Sequence, residues 1–144
     1  MSPEDRRKVL FLCGENSCRS QMAEGFLRSM AGEAFEAYSA GSIATSVNPL
    51  AVSVMEEAGV EFSAQRSKHV SEFDGWEFDY VITVCGGSAR DGCPVFAGAA
   101  LKRIAWDIED PAAATGSQAE VMDAFRRARD DLRACLCRFI EENR

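Results

Sequence analysis

Apolar positions in this chain fall into short unbroken runs, separated by stretches of helical period. Val9, Leu10, Phe11 and Leu12 lead without interruption to Cys13. An all-apolar run this short predicts a strand over 9–13, buried on both faces as in a parallel sheet. Met22, Phe26, Leu27 and Met30 then recur at helical spacing, predicting a helix over 20–31. A second strand is expected over 35–40, closed by Gly41. A helix is expected over 49–58, with Asn48 as its cap, Pro49 in its first turn and Gly59 ending it. Residues 80–85, Tyr-Val-Ile-Thr-Val-Cys, are rich in β-branched types and read as a third strand. The glycine-rich stretch 86–92 reads as a flexible linker, and 103–107 as a short fourth strand. Over 120–140, Val121, Phe125, Ala128, Leu132, Cys135, Leu136 and Phe139 share one face of a long amphipathic helix.

Strands that alternate with helices imply right-handed crossovers. The expected fold is α/β: a single domain spanning 1–144, with a parallel four-stranded sheet flanked by helices. A chain of 144 residues suits one such domain. Ligands in such sheets bind beyond the carboxyl ends of the strands. Three chemically capable groups follow predicted strand ends: Cys13, Cys85 and, slightly further on, Asp110.

The net charge of -7 argues against a nucleic-acid partner and requires any anion to be captured by a local field. No apolar run reaches the ~20 residues that span a bilayer, and the run after the charged residues 1–8 is too short for a signal segment. A cytoplasmic protein is expected. Its six cysteines show no metal-ligand spacing, and His69 is the only histidine, so no metal site is expected. His69 reads as a surface or capping residue. Trp76 and Trp106 read as packing residues.

The segment that links the first strand to the first helix carries the clearest chemistry: Cys13, Gly14, Glu15, Asn16, Ser17, Cys18, Arg19 and Ser20. Amides at a helix N-terminus point at an anion, and the partial positive charge there favours it. The same field favours the thiolate of Cys13, making it a candidate nucleophile. Gly14 permits close backbone approach, Asn16 and Ser17 can hold the loop's shape, and Ser20 can donate to the sulfur. Arg19 supplies a planar fork of donors matched to two oxygens of a phosphate-like ion. The plain alternative for Cys13 is a small buried residue at a strand end.

Asp110 is held extended by Pro111, and its carboxyl is the candidate general acid ahead of Asp107 and Glu109. Cys85 and Cys93 bracket the glycine-rich stretch, and a dithiol so placed can close into a disulfide when the segment rearranges. Cys18 is either structural or a site of oxidative side reaction. Cys135 is expected in the core and Cys137 nearer solvent; neither is given a catalytic role.

The sequence resembles the thioredoxin-coupled arsenate reductases, which share the low-molecular-weight protein tyrosine phosphatase fold. The resemblance is carried by Cys13-x5-Arg19-Ser20 with Gln21-Met22-Ala23-Glu24, Tyr38-Ser39-Ala40-Gly41, Val47-Asn48-Pro49, Ser67-Lys68-His69-Val70, residues 81–85, Cys93-Pro94 and Asp110-Pro111. Gln21, the Cys85/Cys93 pair and Ala112 after Asp-Pro separate it from the phosphatases. The resemblance implies that Cys13 attacks arsenate while Arg19 and the loop hold the oxyanion, and that Asp110 protonates the departing oxygen. It further implies that Cys85 and then Cys93 carry the oxidation outward to thioredoxin. A glutaredoxin or glutathione route is the less favoured supply. No bound cofactor is implied, and a monomer is expected.

This chain departs from the family pattern at three places. Glu15 replaces a common glycine and weakens anion capture unless it points away. The 85–93 stretch is one residue longer than in well-known members. Some relatives bind potassium through residues matching Asn16, Glu24 and Ser39 plus an acid, near whose place this chain has Lys68. The Lys68 ammonium is expected to replace the ion and pair with Glu24. Two other functions fit the same residues: a phosphatase using Cys13, Arg19 and Asp110, and a non-catalytic redox-sensing or anion-binding module.

Overall fold

The computed structural model describes residues 6–16, 18–61, 65–85 and 95–144. Among them the chain runs β1 (Arg7–Leu12), α1 (Arg19–Ala31), β2 (Phe35–Ala40), α2 (Pro49–Glu57), β3 (Glu77–Thr83), β4 (Ala99–Ala105) and α3 (Gln118–Asn143). Two single 3-10 turns, Val70–Phe73 and Pro111–Ala113, complete the described elements.

The four described strands are parallel, in the order β2-β1-β3-β4. Leu12 pairs with Ala40 on one side and with Thr83 on the other, and Thr83 pairs with Ala105. The carboxyl ends of all four strands therefore lie in one row. Strand order reverses around β1, and ligands of open α/β sheets bind at such a reversal. Cys13 leaves the sheet there.

The pleat sends alternate β1 side chains to opposite faces. Val9 and Phe11 enter the larger core with Met22, Phe26, Val54, Leu132 and Leu136. Leu10 and Leu12 meet Phe73, Phe78, Val81 and Phe96 on the other face. With Val9 to Leu12 all at 0% exposure, both faces of β1 are sealed, as its unbroken apolar run predicts. Trp76 joins the aromatic cluster around Tyr38, Phe73 and Phe78, and Trp106 packs on Phe11 and Phe139.

Local chemistry sets the helix ends. The Asn48 side chain accepts from Leu50 N at 2.9 Å, Pro49 occupies the first turn, and Gly59 takes φ +80° beyond α2. Ser117 and Glu120 form a reciprocal capping box at the start of α3. Glu57 bridges α2 to Arg126 and Arg129 of α3, and the Arg126 hydrogen bond holds its carboxyl down at about 2. His69 caps the first 3-10 turn, accepting from Ser71 N.

Three strands lie earlier than the apolar pattern places them; β1 covers 7–12 rather than 9–13. β3 covers 77–83 rather than 80–85, because Glu77 and Phe78 already pair with Ala99 and Ala100. β4 covers 99–105 rather than 103–107. It is a largely exposed edge strand, and its first four residues, Ala99, Ala100, Leu101 and Lys102, carry little strand signal. Cys135 is half-buried rather than fully in the core, with burial raising its thiol pKa, and Cys137 is exposed. The linker over 86–92 and Cys93 lie outside the described residues.

Candidate active site

Cys13 sits one residue beyond β1 at 3% exposure, with its sulfur 2.8 Å from Ser20 Oγ. Ser20 lies in the first turn of α1, and its oxygen accepts from Asn16 Nδ2 at 2.8 Å. That donation leaves the hydroxyl proton free to point at the sulfur. Cys18, at the N-cap of α1, makes no side-chain capping hydrogen bond, and the first turn of the helix holds no acid.

Arg19 is the first residue of α1 and is buried. Its Nη1 donates to Ile108 O at 2.9 Å, and its Nη2 lies 3.7 Å from Asp110 Oδ2. Asp110 Oδ1 accepts from Ala112 N at 3.0 Å, which fixes the carboxylate at the start of the Pro111–Ala113 turn. One oxygen is thus structural and the other faces the guanidinium. Cys13, Gly14, Glu15, Cys18, Arg19 and Asp110 line one cleft of about 480 Å³. A cleft of about 900 Å³ at the other end of the sheet, lined by Arg7, Lys8 and Asp79, has no cysteine, serine or threonine among its described lining residues.

The loop is held from below and from the side. Asn16 is fully buried with φ +52°, the left-handed conformation that turns successive amides into an anion-binding nest. Gln21 Nε2 lies within 3.0 Å of Asn16 O and Asn16 Oδ1, and 2.9 Å from Arg66 O. Gln65 returns a hydrogen bond to Gln21 Oε1 at 2.7 Å. Gly41, in the row beyond the strand ends, touches the loop so closely that a Cβ would stand 2.7–2.8 Å from Gly14 O, Asn16 N and Cys13 O.

Cys85 is half-buried two residues beyond β3, with its sulfur 4.0 Å from the carbonyl oxygen of Leu12, the residue before Cys13. Cys85 is disulfide-bonded, whereas Cys13, Cys18, Cys135 and Cys137 take no part in a disulfide.

The sequence profile described as low molecular weight phosphotyrosine protein phosphatase matches residues 8–143. The chain belongs to that family. Within the family it is 41% identical over 138 residues to an arsenate reductase of Shouchella clausii, covering 94% of this chain and 96% of that one. It is 39% identical over 137 residues to an arsenate reductase of Bacillus subtilis, covering 95% and 97%. A solved structure of an arsenate reductase in the oxidized state superposes with a TM-score of 0.77 at 31% identity, covering 94% of this chain and 98% of that one. The four-stranded parallel sheet with flanking helices is the family's fold.

The fold brings together Cys13, Gly14, Glu15, Asn16, Cys18, Arg19, Ser20, Cys85 and Asp110; Ser17 and Cys93 lie outside the described residues. Glu15 is exposed at the rim of the cleft. Lys68 Nζ lies 3.6 Å from Glu24 Oε1, the pairing that the sequence led us to expect, and Ser39 Oγ donates to the same oxygen at 2.6 Å. Burial lowers the Lys68 pKa, and Glu24 offsets this only in part. Sequence reasoning missed the supporting roles of Gln21 and Gly41. A polar residue one turn inside a helix whose neighbours are all buried is a signal for the first. A glycine directly after a parallel strand is a signal for the second.

Proposed function

We propose that this chain reduces arsenate to arsenite through Cys13, Cys85 and Cys93, with thioredoxin as the electron donor. Cys13 sulfur attacks arsenic(V), and one arsenate oxygen leaves as water, taking a proton from Asp110. Arg19 and the loop amides hold the remaining oxygens. Cys85 then attacks the Cys13 sulfur. The electron pair of the sulfur–arsenic bond passes to arsenic, arsenite departs, and a Cys13–Cys85 disulfide remains. Cys93 attacks Cys85, which frees Cys13 as the leaving thiolate, and the thioredoxin dithiol reduces the resulting bond. Each exchange needs an accessible attacking thiolate and a good leaving sulfur.

The observation that carries this reading is the state of the cysteines. Cys85 is in a disulfide beside the stem of Cys13, while Cys13 itself is a thiol. A second, disulfide-forming sulfur beside Cys13 is what such a relay requires. Hydrolysis of a phosphate ester has no use for a second sulfur there. The similarity to arsenate reductases over nearly the whole chain points the same way.

The test is a coupled assay with arsenate, thioredoxin, thioredoxin reductase and NADPH, and parallel runs with glutaredoxin and glutathione. Arsenate-dependent NADPH consumption that needs thioredoxin is expected. A flat trace from protein that hydrolyses aryl phosphate would identify a phosphatase instead.

A further inference from the structure

The Glu15 carbonyl is turned out of the Cys13 cleft and held there by two hydroxyl groups. Ser67 Oγ donates to Glu15 O at 3.0 Å, and Thr45 Oγ1 approaches the same oxygen at 3.5 Å. Thr45 N donates to Ser67 Oγ at 2.9 Å, which orients the Ser67 hydroxyl so that its proton goes to Glu15. Neither Ser67 nor Thr45 lines the cleft. One peptide earlier, Gly14 O accepts from Ser42 N at 2.8 Å and Ile43 N at 3.1 Å. The 65–70 segment is itself fixed against the loop. Lys68 N donates to Asn16 Oδ1 at 2.7 Å, Gly41 N donates to Lys68 O at 2.9 Å, and Val70 N donates to Gly41 O at 2.8 Å.

We infer that Ser67 is a positioning residue for oxyanion capture: by holding the Glu15 carbonyl outward, it keeps the Asn16 amide turned toward the anion. The described peptides are trans, and in a trans peptide N–H and C=O point in opposite directions. A carbonyl pinned on the outside therefore commits the next amide to the inside. Asn16 at φ +52° continues the same turn, as a nest requires. With Ser67 holding it, the peptide is oriented before the anion arrives. Without it, only the 3.5 Å approach of Thr45 Oγ1 holds the Glu15 carbonyl, and an oxygen that swings to face the anion repels it. This inference rests on the Cys13 loop taking a tetrahedral oxyanion, the first step of the proposed function, but not on arsenic reduction.

The experiment measures inorganic phosphate binding by its protection of Cys13 against iodoacetamide, in wild type, Ser67→Ala and Ser67→Thr. One net hydrogen bond corresponds to a roughly threefold to tenfold rise in the phosphate Kd for Ser67→Ala. Ser67→Thr retains the hydroxyl and is expected within about twofold of wild type on the same reasoning. The arsenate KM of Ser67→Ala should rise in step with its phosphate Kd, with kcat little changed. A residue that served stability alone would lower the melting temperature of Ser67→Ala and leave Kd where it was. That result, or a Ser67→Thr variant as weak as Ser67→Ala, overturns the inference. Wild-type protein that binds phosphate but never consumes NADPH with arsenate would sink the reductase reading and leave this one standing. Wild-type protein whose Cys13 no oxyanion protects would sink both.

Discussion

The ammonium of Lys68 lies 3.6 Å from Oε1 of Glu24, inside a cluster where that carboxylate also takes Ser39 Oγ and Arg28. Glu24 is 4% exposed, so its charge is answered by groups of the chain itself. A tethered cation needs no ion from solution. Exchanging potassium for choline at constant ionic strength is therefore expected to leave melting temperature and turnover unchanged. In Lys68→Ala the vacated volume beside Glu24 and Asn16 becomes available to a monovalent ion, and potassium should then stabilise. The loss in that variant should fall below the ~3–5 kcal/mol typical of an orphaned buried charge, because Arg28 remains. A wild-type protein markedly stabilised by potassium would refute the substitution.

The same lysine gives stability a pH dependence with a defined sign. Burial holds its pKa below the ordinary 10.5, with Glu24 opposing. The folded chain therefore releases this proton at lower pH than the unfolded chain does. Where the unfolded state binds more protons, stability rises with pH. Lys68 thus carries a cost below its depressed pKa that is relieved as pH rises toward 10.5. Unfolding free energies of wild type and Lys68→Met, compared across that alkaline range, should show wild type gaining on the variant. A difference that stays flat or reverses would contradict this.

Gly41→Ala should damage the loop without touching a reactive group. The new methyl would meet three backbone atoms at 2.7–2.8 Å, and backbone cannot swing aside as a flexible side chain can. Overpacking of this kind costs about 1–3 kcal/mol, here concentrated under Cys13, Gly14 and Asn16. The expected signature is weakened phosphate protection of Cys13 together with a lower melting temperature. Unchanged phosphate binding would mean that the loop tolerates displacement.

Much of this arrangement is legible in the sequence, and its gaps have physical causes. The β1 run, the helix after it and the acid before Pro111 each announce themselves locally. An apolar stretch, a capping preference and a proline act within a few residues of where they are read. The grip on the loop is different. Ser67 reaches Glu15 across 52 positions, and Arg19 reaches Ile108 across 89. A serine at position 67 has no local pattern, so only the fold brings it to the site. The edge strand β4 eludes the apolar pattern for the opposite reason: an exposed strand has little burial to impose a period.

Asp110→Asn keeps the side-chain oxygen that caps Ala112 N and so should fold normally. What it loses is a proton that can be given to a departing oxygen. General-acid groups typically contribute about 10²–10⁴-fold, and kcat for arsenate is expected to fall within that range. Phosphate binding should hold or tighten, because the carboxylate 3.7 Å from Arg19 competes with an incoming anion for the guanidinium. Single-turnover rates beside phosphate Kd values check this. A variant with full kcat would remove Asp110 from the mechanism.

Cys85→Ser and Cys93→Ser separate relay chemistry from hydrolysis. Serine approximates the shape of cysteine but cannot form a disulfide, so either change breaks the outward transfer of oxidation. Both variants should lose multiple-turnover arsenate reduction while keeping phosphate protection of Cys13. That binding depends on the loop, Arg19 and Ser20, none of which the changes touch. The two should differ in what they accumulate. Cys93→Ser can still let Cys85 attack Cys13, so mass spectrometry after arsenate should find one Cys13–Cys85 disulfide and one equivalent of arsenite. Cys85→Ser stops before that bond and should release none. Sustained turnover by either variant would exclude the relay, and a phosphatase would be indifferent to both changes. A redox-sensing module without turnover would still close an intramolecular disulfide under peroxide.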